Sequence, residues 1–410
     1  MPEPVVAATW PAAVEAARLL AALGASVMFE ASGPALRRGS CILDPPASSV
    51  TADWAGSGAM ELTGHPNQPP LHPVGRPATV AKAAALALEL LTGTAVDGPA
   101  LLGQRAALMG LTRQGRIAAG GGSRLLRSAD GWWALNLARD GDLVPALTES
   151  DEPDDQWQVA EQWSARLPTA GVIGRATLLG LAAGGLGETA TEPTSHPFRI
   201  TRWPTPPRSR HILSSGRPPV VVNLGALWAG PLTGHLLGLA GARVIDVESS
   251  TRPDPTRISS PEFYRLLHAG HEQRVLDFSQ PGELAELIRS ADVVIEASRP
   301  RALAALGIRA EQVMADGGPA CWLRITGHRD PSRVAFGDDA AVAGGLVAWD
   351  RDGPVFAGDA IADPLTGLLG ALAVSSCLLD PARSLIKLAL ADVAAYCANA
   401  GTGSIPGQLR

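Results

Sequence analysis

The chain has 410 residues, 46% hydrophobic and 18% charged, with a formal net charge of -6. That length supplies a core for two or three lobes, and the acidic balance argues against a nucleic-acid partner, leaving small molecules as the expected ligands. Cys41, Cys321, Cys377 and Cys397 lie far apart with no CxxC spacing, which argues against a zinc ribbon or disulfide framework and fits a reduced cytoplasm.

In chain order, an amphipathic helix is expected over Ala12 to Leu23, followed by a buried strand at Gly24 to Phe29. Glu15 and Arg18 interrupt the apolar run there, so no secretory leader is expected. Gly56 to Gly64 reads as a small-residue helix, His65 to Pro77 as a proline-rich loop, and Ala78 to Leu91 as an apolar helix. Gly120, Gly121 and Gly122 form a loop before the strand-like Trp132 to Leu137. By itself that loop reads as a plain connection. Gln156 to Leu167 reads as a helix, Ala170 to Leu186 as a further apolar stretch, and the prolines and arginines of 192–218 as an extended linker.

Beyond the linker, Pro219 to Leu224, Ala242 to Val247, Asp292 to Glu296 and Ala320 to Ile325 read as buried strands. Helices at Gly230 to Leu239 and Glu283 to Arg289 lie between them, which implies a parallel, Rossmann-like sheet flanked by helices. No GxGxxG, P-loop or HExxH motif occurs, so no dinucleotide, ATP or metal ligand is expected. Asp363-Pro364 opens a nearly uncharged segment to Leu379, too short for a membrane span and read as a buried helix. An Asp before Pro is a favoured helix cap. At the mouth of a buried helix it can also be a nucleophile.

The two halves echo each other: Leu19 to Val27 resembles Leu236 to Val244, and the 78–91 helix holds the place that the Asp363 helix holds later. The copies are unequal. The first contains no Asp from Trp54 to Val96, so only the second offers a carboxylate at the helix mouth. The fold class expected is α/β, with the parallel sheet joined by a second, partial α/β copy and a small α+β domain. The expected divisions are 1–115 for the reduced copy, 116–191 for the small domain, 192–218 for the linker and 219–410 for the complete α/β domain.

The second half resembles a family III CoA-transferase, the formyl-CoA and carnitine CoA-transferase group. The resemblance rests on Trp228-Ala229-Gly230-Pro231, Gly241 to Glu248 with Asp254-Pro-Thr-Arg257, Asp292 to Glu296 with Arg299-Pro300, Ile325-Thr326-Gly327, and Asp363-Pro364-Leu365-Thr366-Gly367, all in family order. The first half resembles the family less closely, through Asp53 to Leu91 and Gly120 to Leu137. The domain order is unusual, a reduced C-terminal half preceding an N-terminal one.

The resemblance implies transfer of CoA between an acyl-CoA thioester and a carboxylic acid, with Asp363 as nucleophile and Gly120, Gly121 and Gly122 as oxyanion donors. It implies a CoA site at Leu227, Trp228, Ala229, Ser249, Arg257, Leu276, Ser279, Ala297, Ser298, Arg299 and Phe336. Coenzyme A is then a substrate, and no cofactor is held permanently. An interlocked homodimer or a pseudo-dimeric monomer would follow. Asp359 is expected to be a bystander to the chemistry. Two alternatives remain open: an inactive CoA-binding or partner subunit, and an α-methylacyl-CoA racemase, which needs a His and an Asp about the α-carbon.

Overall fold

The structure, a computed structural model, describes residues 3–30, 33–150, 155–189, 196–204, 216–297 and 300–400. Its centre is a seven-stranded sheet in the order Glu272–Leu276, Arg243–Ser249, Val220–Asn223, Val293–Glu296, Cys321–Thr326, Arg383–Ala389, Arg199–Trp203. Six strands run parallel, and only the edge strand Arg199–Trp203 is antiparallel, pairing with Arg383–Ala389. The runs Val221-Val222 and Val293-Val-Ile are buried because helices cover both faces of a parallel sheet. The expected α/β class is therefore the observed one.

The smaller copy is a four-stranded sheet in the order Val27–Phe29, Val5–Ala7, Leu36–Arg38, Cys41–Leu43. Its parallel strands Val5–Ala7 and Val27–Phe29, joined by the helix Pro11–Ala22, reproduce the unit Val220–Asn223, Ala229–Leu239, Arg243–Ser249. An antiparallel hairpin then replaces the further crossovers of the larger copy. A three-stranded antiparallel sheet of Ser123–Arg127, Trp132–Asn136 and Ala182–Gly185 forms the small α+β part, with Trp133 and Leu135 in its own core.

The two copies meet through two long helices, Pro77–Thr92 and Ala362–Leu378, which share one apolar core. Asp363 apart, every residue of Ala362–Leu378 is buried, as expected of a helix that is apolar all round. Glycines let a neighbouring helix come close. A Cβ on Gly367 would lie 2.9 Å from Leu232 and 3.0 Å from the Ala229 carbonyl, and one on Gly370 would lie 2.8 Å from Thr233 Oγ1. The Thr233 hydroxyl also donates to the Gly367 carbonyl (3.0 Å). The helix Ala229–Leu239 thereby fixes where Asp363 sits.

The helix Pro77–Thr92 opens with Arg76-Pro77-Ala78-Thr79, where the other opens with Asp363-Pro364-Leu365-Thr366. An arginine thus stands at the position that carries the carboxylate in the larger copy.

Several expectations change. Gly56 to Gly64 is not a helix: the helix is Val50–Ala55, capped by Ser49 Oγ, and a 3₁₀ turn follows at Met60–Leu62. Gly58 and Gly64 have positive φ (73° and 116°) and turn the chain rather than continue a helix. Within the proline-rich 192–218 segment, Arg199–Trp203 forms the sheet's edge strand, its exposed Arg199, Thr201 and Arg202 breaking any apolar run. Among the described residues no helix is long and apolar enough to cross a membrane.

Candidate active site

Asp363 is the second residue of its helix, not the cap. The N-cap is Ile361, with no side-chain hydrogen bond, and the Asp363 amide donates back to the Ala360 carbonyl (2.9 Å). Its carboxylate takes support instead from the Gly337 N–H across the site. Asp363 is half-buried, so a substrate can reach it. Burial raises its carboxyl to about 7, and Asp338 and Asp359 push the same way, while Arg105 and the Gly337 N–H oppose. A carboxylate of that basicity is a stronger nucleophile than an ordinary aspartate, and it is still half ionised near neutrality.

The turn before it is held at every residue. Gly358 N–H donates to Thr63 Oγ1 (2.8 Å) and Ala360 N–H to Asp338 Oδ1 (2.9 Å). Ala360 has φ of 43°, a left-handed conformation rare for a residue with a Cβ and tolerated only where the surroundings enforce it. Asp359 is fully buried and receives Arg105 Nε at 2.7 Å and Nη2 at 2.5 Å. Arg105 comes from the helix Gln104–Met109 of the smaller copy, and its guanidinium stacks 4.8 Å over Trp228. Both copies therefore build one site.

Three carboxyl groups, Asp338, Asp359 and Asp363, crowd about that guanidinium, and Asp339 stands beside Asp338 and Asp363. Burial raises Asp338 to about 6 and pushes Asp339 well up. Asp339 Oδ1 accepts from the Phe336 N–H (3.0 Å) and its Oδ2 has no partner, which suits a protonated acid. Like charges at close range cannot all ionise, and the arginine's attraction is taken up first by Asp359.

Gly337 is essential to this geometry although its φ is not positive. A Cβ there would run into both the Ala360 carbonyl oxygen and Asp363 Oδ2. Gly337→Ala is expected to displace the carboxylate and to cost about 1–3 kcal/mol in chemical denaturation, the usual penalty of overpacking.

Of the glycine loop, Gly120 lies beside the buried pair: a Cβ on it would be 3.4 Å from Arg105 Nη2 and 3.9 Å from Asp359 Oδ1. The Gly121 amide already donates to the Ala118 carbonyl (2.7 Å), closing a turn with φ of 78°. It is thereby removed from the expected oxyanion donors. Gly122 packs on Ala138, leaving Gly120 nearest the carboxylates.

The expected CoA residues lie along the carboxyl edge of the sheet. Leu227, Trp228 and Ala229 follow the strand Val220–Asn223, while Ser249 and Leu276 end neighbouring strands and Ser279 stands in the turn after Leu276. Ala297 follows Val293–Glu296 and packs against Gly225 and Gly230. Strand order reverses between Val220–Asn223 and Val293–Glu296, the kind of switch point where open α/β sheets bind ligands. Leu227 has φ of 70° and its amide donates to Asp254 (2.9 Å). Phe336 precedes Gly337, on the Asp363 side. Arg257 is engaged: it pairs with Glu248 (2.9 Å), bonds Gln273 and covers the Tyr264 ring at 4.4 Å. A phosphate would have to compete with Glu248 for it. Ser298 and Arg299 lie outside the described residues.

Sequence reasoning missed Arg105, Asp359, Asp338 and Gly337. Asp359, expected to be a bystander to the chemistry, is buried four residues before Asp363 and pairs with Arg105. The position of Asp359 four residues before Asp363 was the only signal for it, and Arg105 had none, lying 254 residues away along the chain.

Residues 219–400 match the family described as CoA-transferase family III. The chain is 32% identical over 200 residues to the succinate–glutarate CoA-transferase of Agrobacterium fabrum, covering 42% of this chain and 50% of that protein. It is 30% identical over 198 residues to the succinyl-CoA–D-citramalate CoA-transferase of Chloroflexus aurantiacus, covering 42% and 48%. Among solved structures, a CAIB/BAIF family protein from Brucella suis aligns at 29% identity with a TM-score of 0.38, over 44% of this chain and 54% of that one. The chain spans about half the length of the curated relatives it matches. The parallel sheet, the Asp363 helix and the ordered motifs between them all lie within the residues that match CoA-transferase family III.

Proposed function

We propose that the chain transfers CoA between an acyl-CoA thioester and a carboxylic acid through Asp363. The observation that carries this reading is the Asp363 carboxylate itself: half-buried, free of capping duty and raised to about 7. Asp363 attacks the thioester carbonyl, forming an acyl-aspartyl anhydride and expelling the CoA thiolate. The thiolate then attacks the aspartyl carbonyl, giving an aspartyl-CoA thioester and releasing the first acid. The acceptor carboxylate attacks that thioester, the thiolate leaves, and its attack on the acceptor's carbonyl yields the new acyl-CoA and free Asp363.

Each attack develops an oxyanion; the Gly337 N–H, which already bonds Asp363, is the donor at hand, with the Gly120 loop and the Asp359-bound Arg105 beside it. Succinyl-CoA is the first donor to test, since the names of both curated relatives include succinate or its CoA ester. Donor and acceptor panels should then extend to short and branched acids. One chain supplies one such site, because the matching position of the smaller copy is Arg76, so a pseudo-dimeric chain has a single carboxylate centre.

The pH dependence follows from the direction of the shift. Asp363 must be ionised to attack, so adduct formation should fall about tenfold per unit below a midpoint near 7 and level off above it. A stopped-flow profile flat from acid to neutral pH would contradict this assignment.

A second reading, a CoA-binding subunit without turnover, is favoured by Arg76 and by the half-length match to the relatives. Calorimetry with CoA combined with adduct trapping separates the two. The racemase reading lacks its second base: no histidine stands among Phe336 to Asp339.

A further inference from the structure

One buried polar cluster has no part in the acyl chemistry. Asp246, in the strand Arg243–Ser249, is only 2% exposed. Its Oδ2 lies 2.6 Å from His268 Nδ1 and 2.9 Å from His271 Nδ1, and it also receives Gln273 Nε2 at 2.8 Å. Asn223 Nδ2 holds Oδ1 at 2.8 Å. His235, on the helix Ala229–Leu239, places its ring 6.4 Å from that of His271, while the His268 and His271 rings stand 6.0 Å apart at 81°. Three of the chain's eight histidines thus gather about one carboxylate.

Hydrogen bonding explains part of this cluster but leaves a surplus. Asn223, Gln273 and one imidazole would satisfy Asp246, yet further imidazoles are buried there, and His268 Nε2 and His235 Nδ1 have no partner. The bare His268 Nε2 faces away from Asp246; what exceeds the carboxylate's need is the pair of Nδ1 atoms crowding one oxygen, an arrangement a shared cation would use. One ligand atom each from Asp246, His268 and His271 already lies within 4.8 Å of the others.

We propose that Asp246, His268 and His271 bind a divalent transition-metal ion, zinc foremost, with His235 beside the fourth position. Imidazole and carboxylate are ligands of matching hardness for zinc, and three protein ligands with one further position is a recurrent arrangement. Two imidazoles bound at about 2.0–2.1 Å would have ring centres about 3 Å from the ion, so the observed ring separations approach what a shared metal allows. On loading, each Nδ1 proton moves to Nε2 of the same neutral ring, freeing the Nδ1 lone pair, while the dication offsets the Asp246 charge. Asn223 Nδ2 keeps its bond to Oδ1 and orients the carboxylate. The ion would tie the strands Arg243–Ser249 and Glu272–Leu276 to the histidines at the end of the helix Pro261–Leu267. The sequence shows no metal motif because the ligands come from a strand and a turn 22 and 25 residues further on.

The test uses the full chain after chelator treatment, titrated calorimetrically with zinc chloride and, separately, magnesium chloride. Wild type should bind about one zinc per chain with a dissociation constant in the micromolar range or tighter and should ignore magnesium. His268→Gln and His271→Gln, with folding checked by circular dichroism, should each weaken zinc binding about 100-fold. Should either variant misfold, cobalt added to wild type should give the visible bands of a tetrahedral site. Folded wild type that shows neither saturable zinc binding nor those bands would reduce the cluster to a hydrogen-bond network. Unchanged affinity in both folded variants would place the zinc elsewhere, and either result overturns the proposal.

Discussion

Asp363→Asn is expected to abolish CoA transfer while making the folded protein more stable at alkaline pH. The amide cannot form the acyl anhydride, so turnover should fall to background. Folding should survive because Asp363 does not cap its helix and asparagine fills the same volume. The stability sign follows from proton linkage. The folded carboxyl, raised to about 7, holds its proton over a range where the unfolded one has lost it. Native protein therefore binds more protons between roughly pH 4 and 7, and stability falls as pH rises through that window. Removing the charge should recover on the order of 2–4 kcal/mol at pH 8 and almost nothing at pH 4, as read by urea denaturation at the two pH values. A variant equally or less stable at pH 8 would show that burial does not oppose this charge.

Arg105→Ala should have the largest effect on stability. The guanidinium is shared by Asp338, Asp359 and Asp363, and its loss leaves fully buried Asp359 without its bidentate partner. Removing one member of a buried pair costs about 3–5 kcal/mol, and Arg105 also forfeits its stacking on Trp228. Arg105→Lys should restore charge but not the two-pronged geometry, giving an intermediate result. Adding Asp359→Asn to Arg105→Ala should recover part of the loss, because an amide needs no counter-charge. The same double-mutant cycle tests the union of the two copies. A purely local pair would change stability alone, whereas a shared site should also lose adduct formation in every variant that displaces Arg105.

Much of the larger copy was legible because its chemistry is local. Val221-Val222 and Val293-Val-Ile are apolar runs buried on both faces, and the expected 78–91 helix is observed as Pro77–Thr92. The edges were not legible. Glu272–Leu276 and Arg199–Trp203 are rich in charged and polar residues because they stand at the sheet's edges and face water, and Arg383–Ala389 follows a helix with only a short turn between. Asp363 announced itself through its Asp-Pro opening and the ordered family motifs. The rest of its site did not, for physical reasons. Gly337 is required by a collision with atoms of Ala360 and Asp363 rather than by its own backbone angle, so no turn pattern marks it. Arg105 reaches Asp359 only through the tertiary union of two copies. The ligands about Asp246 come from a strand and from one turn, His268 and His271, more than twenty residues further on, so no compact motif joins them.

The most direct measurement is mass spectrometry of the wild-type chain caught during reaction. Protein incubated with succinyl-CoA, then with short and branched acyl-CoA thioesters, is quenched with hydroxylamine, and its peptides are mapped. The account predicts a hydroxamate on Asp363 with at least one donor, absent without thioester and absent from Asp363→Asn. CoA that binds the chain measurably while Asp363 remains unmodified with every donor would contradict it and leave the protein a binding subunit.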